Sequence, residues 1–318
     1  MSYFLVAVST RENLELCRRY ALAGFPDGRN GLWTYLDIAV GDVVSFLYGA
    51  RVYDLYEVTR KAAYLHAQSL PPWPPLELRR TYHFAFRLHL RRIREISEPL
   101  VRSEFAYVAE NLLLRGGYRK THFQADQTTL QTMSEMGSLS TAGPEPLDHT
   151  GFDEFVPTLT RTTAEVDFPR TYFFNEMFLQ VLTRRYLSVD DRLDEFVEAV
   201  SATELRPSDL EVLGEKGFPE GIVDLLIKES APRGLSRKLL IEVKNRRSTE
   251  ADLNQVVTYR RNVGEECVGG ALIARGHPRK IQAEAIESGV RLISFECDFS
   301  RSPATFEELL STFRLEYL

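Results

Sequence analysis

Two short runs in the second half of the chain, Gly221-Ile-Val-Asp-Leu-Leu-Ile227 and Lys238-Leu-Leu-Ile-Glu-Val-Lys244, do most to limit what it can fold into. Both lack the strict polar alternation of a strand facing water on one side, which marks strands covered on both faces. Gly270-Ala-Leu-Ile-Ala274 and Val290-Arg-Leu-Ile-Ser-Phe295 repeat the pattern. Helical periodicity fills the intervals at about 251–262 and 279–287, and two more helices precede the first strand, at about 172–186 and 190–202. Strands alternating with helices predict a mixed sheet flanked by helices.

Three charges interrupt these apolar strands. Asp224 stands inside the first, and Glu242 and Lys244 end the second. Desolvating a charge costs several kcal/mol unless it is paired or bound to metal. Glu242 and Lys244, two residues apart, share one strand face. If the strands are neighbours, Asp224 meets Glu242. Two carboxylates with a backbone carbonyl, that of Val243, then form an oxygen-rich site suited to Mg²⁺ or Mn²⁺. Such a site hydrolyses a phosphodiester when the ion offsets phosphate charge and activates water, with Lys244 positioning that water. Glu176 on the first helix is a further metal-ligand candidate, and Gln255 and Tyr259, one helical turn apart, could cover the site. The alternatives are a structural Asp224–Lys244 ion pair, a solvated Glu176 and ordinary surface positions for Gln255 and Tyr259.

The first part reads differently: a strand at 3–8, a helix at 11–22, two strands within 42–59 around Gly49, and another strand at 82–94. Pro71, Pro72, Pro74 and Pro75 surround Trp73 and exclude regular structure there. Residues 132–165, rich in Ser, Thr, Gly and Pro, read as a linker between a domain at 1–131 and another at 166–318. The net charge of −6 hides an asymmetry: residues 1–130 carry 17 Lys and Arg against 13 Asp and Glu, with basic residues crowded between Arg79 and Lys120. A phosphate-facing surface and a solvated face explain this equally.

Other chemistries find no support. Cys17, Cys267 and Cys297 are odd in number and unpaired in sequence, the six histidines form no His-x-x-x-His, and phosphate-binding glycine loops are absent. No run approaches the roughly 18 apolar residues of a membrane helix, and the start lacks a signal peptide, so a cytoplasmic location is expected.

Residues 174–295 resemble the PD-(D/E)XK nuclease superfamily, nearest its NucS-like and RecB-like members, through Asn175-Glu176, Gly221-Ile-Val-Asp224, Ile241-Glu-Val-Lys244 and Gln255-Val-Val-Thr-Tyr259. The resemblance implies metal ligation by Asp224 and Glu242, a catalytic Lys244, and Gln255 and Tyr259 on the active-site helix. Val223 replaces the proline of the family name. Residues 1–130 resemble PUA-like readers of modified bases, of the EVE and YTH type, through Tyr3-Phe-Leu-Val-Ala-Val8, Gly41-Asp-Val-Val-Ser-Phe-Leu-Tyr48, Pro71-Pro-Trp-Pro-Pro75 and Thr121-His-Phe-Gln-Ala-Asp-Gln127. That implies a small β-barrel or mixed sheet with helices, and a flipped base held in an aromatic pocket.

Trp33 and Trp73, expected on loops, are the cage candidates, with Phe25 and Tyr48 behind them, although core packing explains each aromatic as well. Asn13 and Asp126 could bond the base edge or cap helices, and Arg119 and Lys120 could bind flanking DNA phosphates. The combined expectation is an α/β and α+β chain acting as a Mg²⁺- or Mn²⁺-dependent DNA endonuclease, restricting foreign modified DNA as a homodimer. A NucS-like repair nuclease acting on mismatched or branched DNA, and an RNA-binding module on an inactive nuclease scaffold, are the rivals.

Overall fold

The computed structural model describes residues 1–77, 81–101, 108–109, 121–141, 143–201, 205–218, 221–232 and 234–318. The chain divides into two compact units, the boundary falling between Phe173 and Phe174.

The first unit is built on an eight-stranded mixed sheet: β1 (Tyr3–Ala7), β2 (Leu22–Phe25), β3 (Val43–Tyr48), β4 (Arg51–Ala63), β5 (Phe86–Glu95), β6 (Leu100–Val101), β7 (His122–Ala125) and β8 (Ser138–Leu139). The order is β8–β5–β4–β3–β1–β7, with β2 added to β5 and β6 to β4. β1 runs parallel to β3 and antiparallel to β7. Among the described residues, helices α1 (Arg11–Tyr20), α2 (Arg29–Asp37) and α3 (Gln127–Met136) accompany the sheet.

Of the small β-barrel or mixed sheet expected from sequence, the described residues form the mixed sheet, and no barrel closes among them. The path ends in β7 and β8, of four and two residues. Strands so short cannot supply the staggered ladder that closure requires. Residues 132–165, without sustained periodicity in sequence, contain the end of α3, strand β8 on β5, and Thr158–Thr160 paired in parallel with Thr171–Phe173.

Irregularity in β4 has a local cause. Asp54 adopts the left-handed conformation (φ 48°) beside a register shift, and its fully buried carboxylate accepts from Arg18 Nε (2.8 Å), the Tyr56 hydroxyl (3.0 Å) and the Ile96 amide (3.1 Å). Bonding of this kind lets a bulge hold a buried charge.

On β5, His89 lies 3.1 Å from Arg60 Nη1 and edge-on to His149. Burial, then Arg60 and His149, push its pKa down to about 4 from an ordinary 6.5. A depressed histidine contributes stability that is present above its unfolded value and lost as pH falls through the folded one. The thermal-stability advantage of wild type over His89→Phe is therefore expected to shrink between pH 6.5 and pH 4. A difference independent of pH across that window would contradict the assignment.

The second unit carries a six-stranded sheet in sequence order: β9 (Leu210–Phe218), β10 (Gly221–Glu229), β11 (Lys238–Lys244), β12 (Cys267–Ala274), β13 (Arg291–Glu296) and β14 (Arg314–Tyr317). β11, β12 and β13 are parallel, and the outer pairings are antiparallel. Helices α4 (Glu176–Leu187) and α5 (Asp190–Val200) precede the sheet, α6 (Glu250–Val263) and α7 (Arg279–Ser288) are its crossovers, and α8 (Phe306–Thr312) precedes β14. Leu253 and Val256 of α6 pack with Leu272 of β12, Ile281 and Ala285 of α7, and Leu292 of β13. Residues 223–228 and 239–243 are all buried, as the apolar runs require of strands covered on both faces. No helix among the described residues is long and apolar enough to cross a membrane.

Candidate active site

The site forms where β10 leaves β11. Their ladder runs from Lys228 opposite Lys238 to Leu225 opposite Ile241. One residue further, the Val243 amide donates to Asp224 Oδ2 at 2.8 Å. A side chain thus takes the place of the missing ladder acceptor, as a buried amide requires. In an extended strand the N–H and C=O of one residue point the same way, so the Val243 carbonyl also faces this gap.

Helix α4 supplies the opposite wall. Asn175 caps it, accepting from the Phe178 amide at 3.2 Å, and Glu176 occupies the first helical position, where the helix dipole favours a carboxylate. Gln180, one turn on, donates to Asp224 Oδ1 at 2.6 Å.

Lys244 Nζ lies among three carboxylates: 2.6 Å from Glu242, 3.2 Å from Glu176 and 3.8 Å from Asp224. Asp224 and Glu242 are buried, and Glu242 Oε2 has no hydrogen-bond partner. Burial above all, then the charge of Glu242, raises the Asp224 pKa well above the carboxylate range. Burial raises Glu242 too, with Lys244 opposing. Burial disfavours the Lys244 ammonium, but Asp224 and Glu242 outweigh it and the net shift is upward. The arrangement holds excess negative potential around one cation. Among the described residues no group of three or more His, Cys, Asp or Glu side chains stands at metal-ligand spacing.

Sequence reasoning missed two members. Gln180 follows Glu176 by four residues and so shares its helix face, a signal available in the sequence. Asn245 follows Lys244 directly. Its amide donates to Glu176 Oε2 (3.3 Å), its Nδ2 to the Phe174 carbonyl (3.1 Å), and its Oδ1 accepts from Arg275 Nε and Nη2 (3.1 and 2.9 Å). It fastens the end of β11 to the start of α4 and aims an exposed arginine at the rim.

Gln255 and Tyr259 are brought together: Gln255 Nε2 donates to the Tyr259 hydroxyl (2.9 Å), which donates to the Ile222 carbonyl (3.1 Å). Tyr259 is buried, so the pair fixes α6 to the start of β10. Tyr259→Phe is expected to cost about 1 kcal/mol, the usual net value of one hydrogen bond, in urea unfolding.

The N-terminal candidates occupy packed or capping positions. Trp33, expected in a loop, lies in α2, buried with its ring edge-on to His122 at 4.5 Å. Trp73 is in the proline loop but buried against Phe84 and the Arg87 guanidinium. Phe25 is buried at the end of β2, and Tyr48 ends β3 half-buried. Asp126 caps α3, accepting from the Thr129 amide at 3.0 Å, and the Asn13 amide donates to the Thr10 cap of α1. Arg119 and Lys120 lie outside the described residues. Of the basic stretch, Arg87 is buried, Arg91 pairs with Glu57, and Arg92 and Arg94 donate to the carbonyls of Arg18 and Gly137.

No known protein family matches the chain, nor does any curated protein. Among solved structures it is similar to the MspJI restriction endonuclease in complex with a 27-mer oligonucleotide, with a TM-score of 0.24 and 11% identity. The match covers 91% of this chain and 64% of that one, so the chain spans less than two thirds of that protein's length.

Proposed function

We propose that the C-terminal unit is a metal-dependent phosphodiesterase that cuts DNA, and that the N-terminal unit selects DNA carrying a modified base. The observation that carries the first part is the convergence of Asp224, Glu242 and Lys244 at one strand end, with a buried carboxylate oxygen left without a partner. Two mutually repelling acids and an unmatched oxygen suit a divalent cation better than a structural ion pair.

Asp224, Glu242 and the Val243 carbonyl would hold Mg²⁺ or Mn²⁺, with Glu176 beside them. The ion, when bound, neutralises scissile-phosphate charge and lowers the pKa of water. Gln180 keeps Asp224 oriented, and Asn245 keeps Glu176 against the strand end. Lys244 would donate to the attacking water or to the charge developing on phosphate. Titrating Mg²⁺ is expected to raise the unfolding temperature of wild type and leave Glu242→Gln unchanged. At 100 times the dissociation constant, linkage gives about 2.7 kcal/mol.

Assignment of base recognition to the first unit rests on the resemblance over residues 1–130. One site per chain cuts one strand, so double-strand cleavage calls for two copies, and a symmetric homodimer is part of the proposal. The test is cleavage of matched duplexes that are unmodified or carry N6-methyladenine, 5-methylcytosine or 5-hydroxymethylcytosine. Cutting of a single modified duplex supports the whole reading. Equal cutting of all four removes the reader and directs attention to mismatched or branched substrates.

A further inference from the structure

The N-terminal unit contains a buried cation that nothing described so far employs. Arg87 of β5 is fully buried, yet its Nε and Nη1 have no hydrogen-bond partner, and Nη2 makes only a long 3.4 Å bond to the Leu70 carbonyl. Its guanidinium lies 4.3 Å from the centre of the Trp73 ring. The Cys17 thiol is within hydrogen-bonding reach of the same indole, and burial pushes that thiol up to about 12. Burial likewise pulls Arg87 down to about 9, and the groups that favour its charge are the Tyr64 phenol and the Cys17 thiol, not a carboxylate. The nearby acid Glu154 is engaged by Arg60. His149, whose ring packs on Tyr64, has an Nε2 atom that is also buried and unpartnered.

A buried guanidinium without a counter-charge is among the costliest placements a fold can make. A cation–π contact with Trp73 offsets part of that cost but satisfies no N–H donor. The open donors and the missing negative charge are complementary to an oxyanion, which accepts charge-assisted hydrogen bonds from a guanidinium. We propose that Arg87, Trp73, Tyr64 and His149 form a binding site for a phosphate-type oxyanion, supplied as free phosphate or as the phosphate of a mononucleotide. Arg87 provides the charge and two donors. Trp73 holds the guanidinium plane, and His149 contributes the remaining polar atom. The site belongs to the N-terminal unit alone and does not depend on the reading of the carboxylate site.

The full chain, treated with EDTA and dialysed so that divalent metal does not contribute, is titrated with inorganic phosphate, deoxyadenosine 5′-monophosphate and deoxyadenosine at constant ionic strength. Calorimetry and tryptophan fluorescence are the readouts, Trp73 being one of two tryptophans in the chain. Saturable binding of phosphate and nucleotide, with no binding of the nucleoside, is expected. Nucleotide binding without phosphate binding identifies the nucleotide as the source. Arg87→Met should abolish both responses; if that variant does not fold by circular dichroism, Arg87→Lys should bind at least ten-fold more weakly. Absence of saturable binding, binding of the nucleoside alone, or equal binding by the Arg87 variants overturns the proposal.

Discussion

Lys244→Met is expected to eliminate metal-dependent cleavage and, in metal-free buffer at neutral pH, to destabilise the protein by about 3–5 kcal/mol. The stability loss follows from what surrounds the ammonium. It contacts Glu242 and Glu176 and approaches Asp224, and two of these acids are buried. Removing the cation leaves like charges facing one another with nothing to offset them. Adding Asp224→Asn to Lys244→Met should recover most of the stability, since one of the repelling charges goes with it. It should recover none of the activity. Loss of one preorganised electrostatic group typically costs roughly 10²–10³-fold in rate, and this double variant lacks two. Urea unfolding in EDTA and a gel-based cleavage assay read the two effects separately. A Lys244→Met protein as stable as wild type would mean that the ammonium is not what holds the carboxylates together.

Gly221→Ala should lower stability by about 2–4 kcal/mol, combining left-handed backbone strain with a lost hydrogen bond. Gly221 opens β10 at φ 150°, and a Cβ there would lie 2.5 Å from the Tyr259 hydroxyl. Tyr259 cannot easily give way, because its hydroxyl bonds both Gln255 and the Ile222 carbonyl. Either α6 moves or the start of β10 does, and Asp224 is three residues along that strand. Combining Gly221→Ala with Tyr259→Phe should recover only part of the loss, because the backbone conformation stays strained. Full recovery would place the whole effect in the contact with Tyr259.

Much of the second unit was legible because its signals are local and strong. The runs at 221–227 and 238–244 are too apolar to be anything but covered strands, and their charges stand out against them. Thr249 and Asp252 form a capping box at the start of α6, the kind of signal that survives in a single sequence. The meeting of Asp224 with Glu242 and Lys244 required only that the two strands pair, which they do as antiparallel neighbours over four residue pairs. Strand β9 was missed because Leu210–Phe218 mixes glycines and charges with its apolar residues, as an edge strand allows.

The first unit was harder to read, for physical reasons. Helix α2 has Gly28 at its N-cap, with no side-chain capping bond, and it carries Gly31 because a Cβ there would lie 1.8 Å from the Pro26 carbonyl oxygen. Helix propensity is weak at such a site, and tertiary packing overrides it. Trp33 was accordingly expected in a loop. The Arg87 environment left no trace in composition: the residue is one of several arginines in a basic stretch, and only packing distinguishes it. Gln180 and Asn245 were readable in principle from their spacing to Glu176 and Lys244, but which polar neighbours of a site touch it depends on how α4 approaches the sheet.

The most direct measurement is cleavage of an end-labelled duplex panel by wild type and Glu242→Gln, side by side, with and without Mg²⁺ or Mn²⁺. Glu242 is buried and supplies the unpartnered oxygen, so the substitution changes charge at the proposed metal site with almost no change in volume. The account predicts cutting by wild type only when metal is present, and none by Glu242→Gln under either condition. Metal-independent cutting, or cutting undiminished in Glu242→Gln, would contradict it.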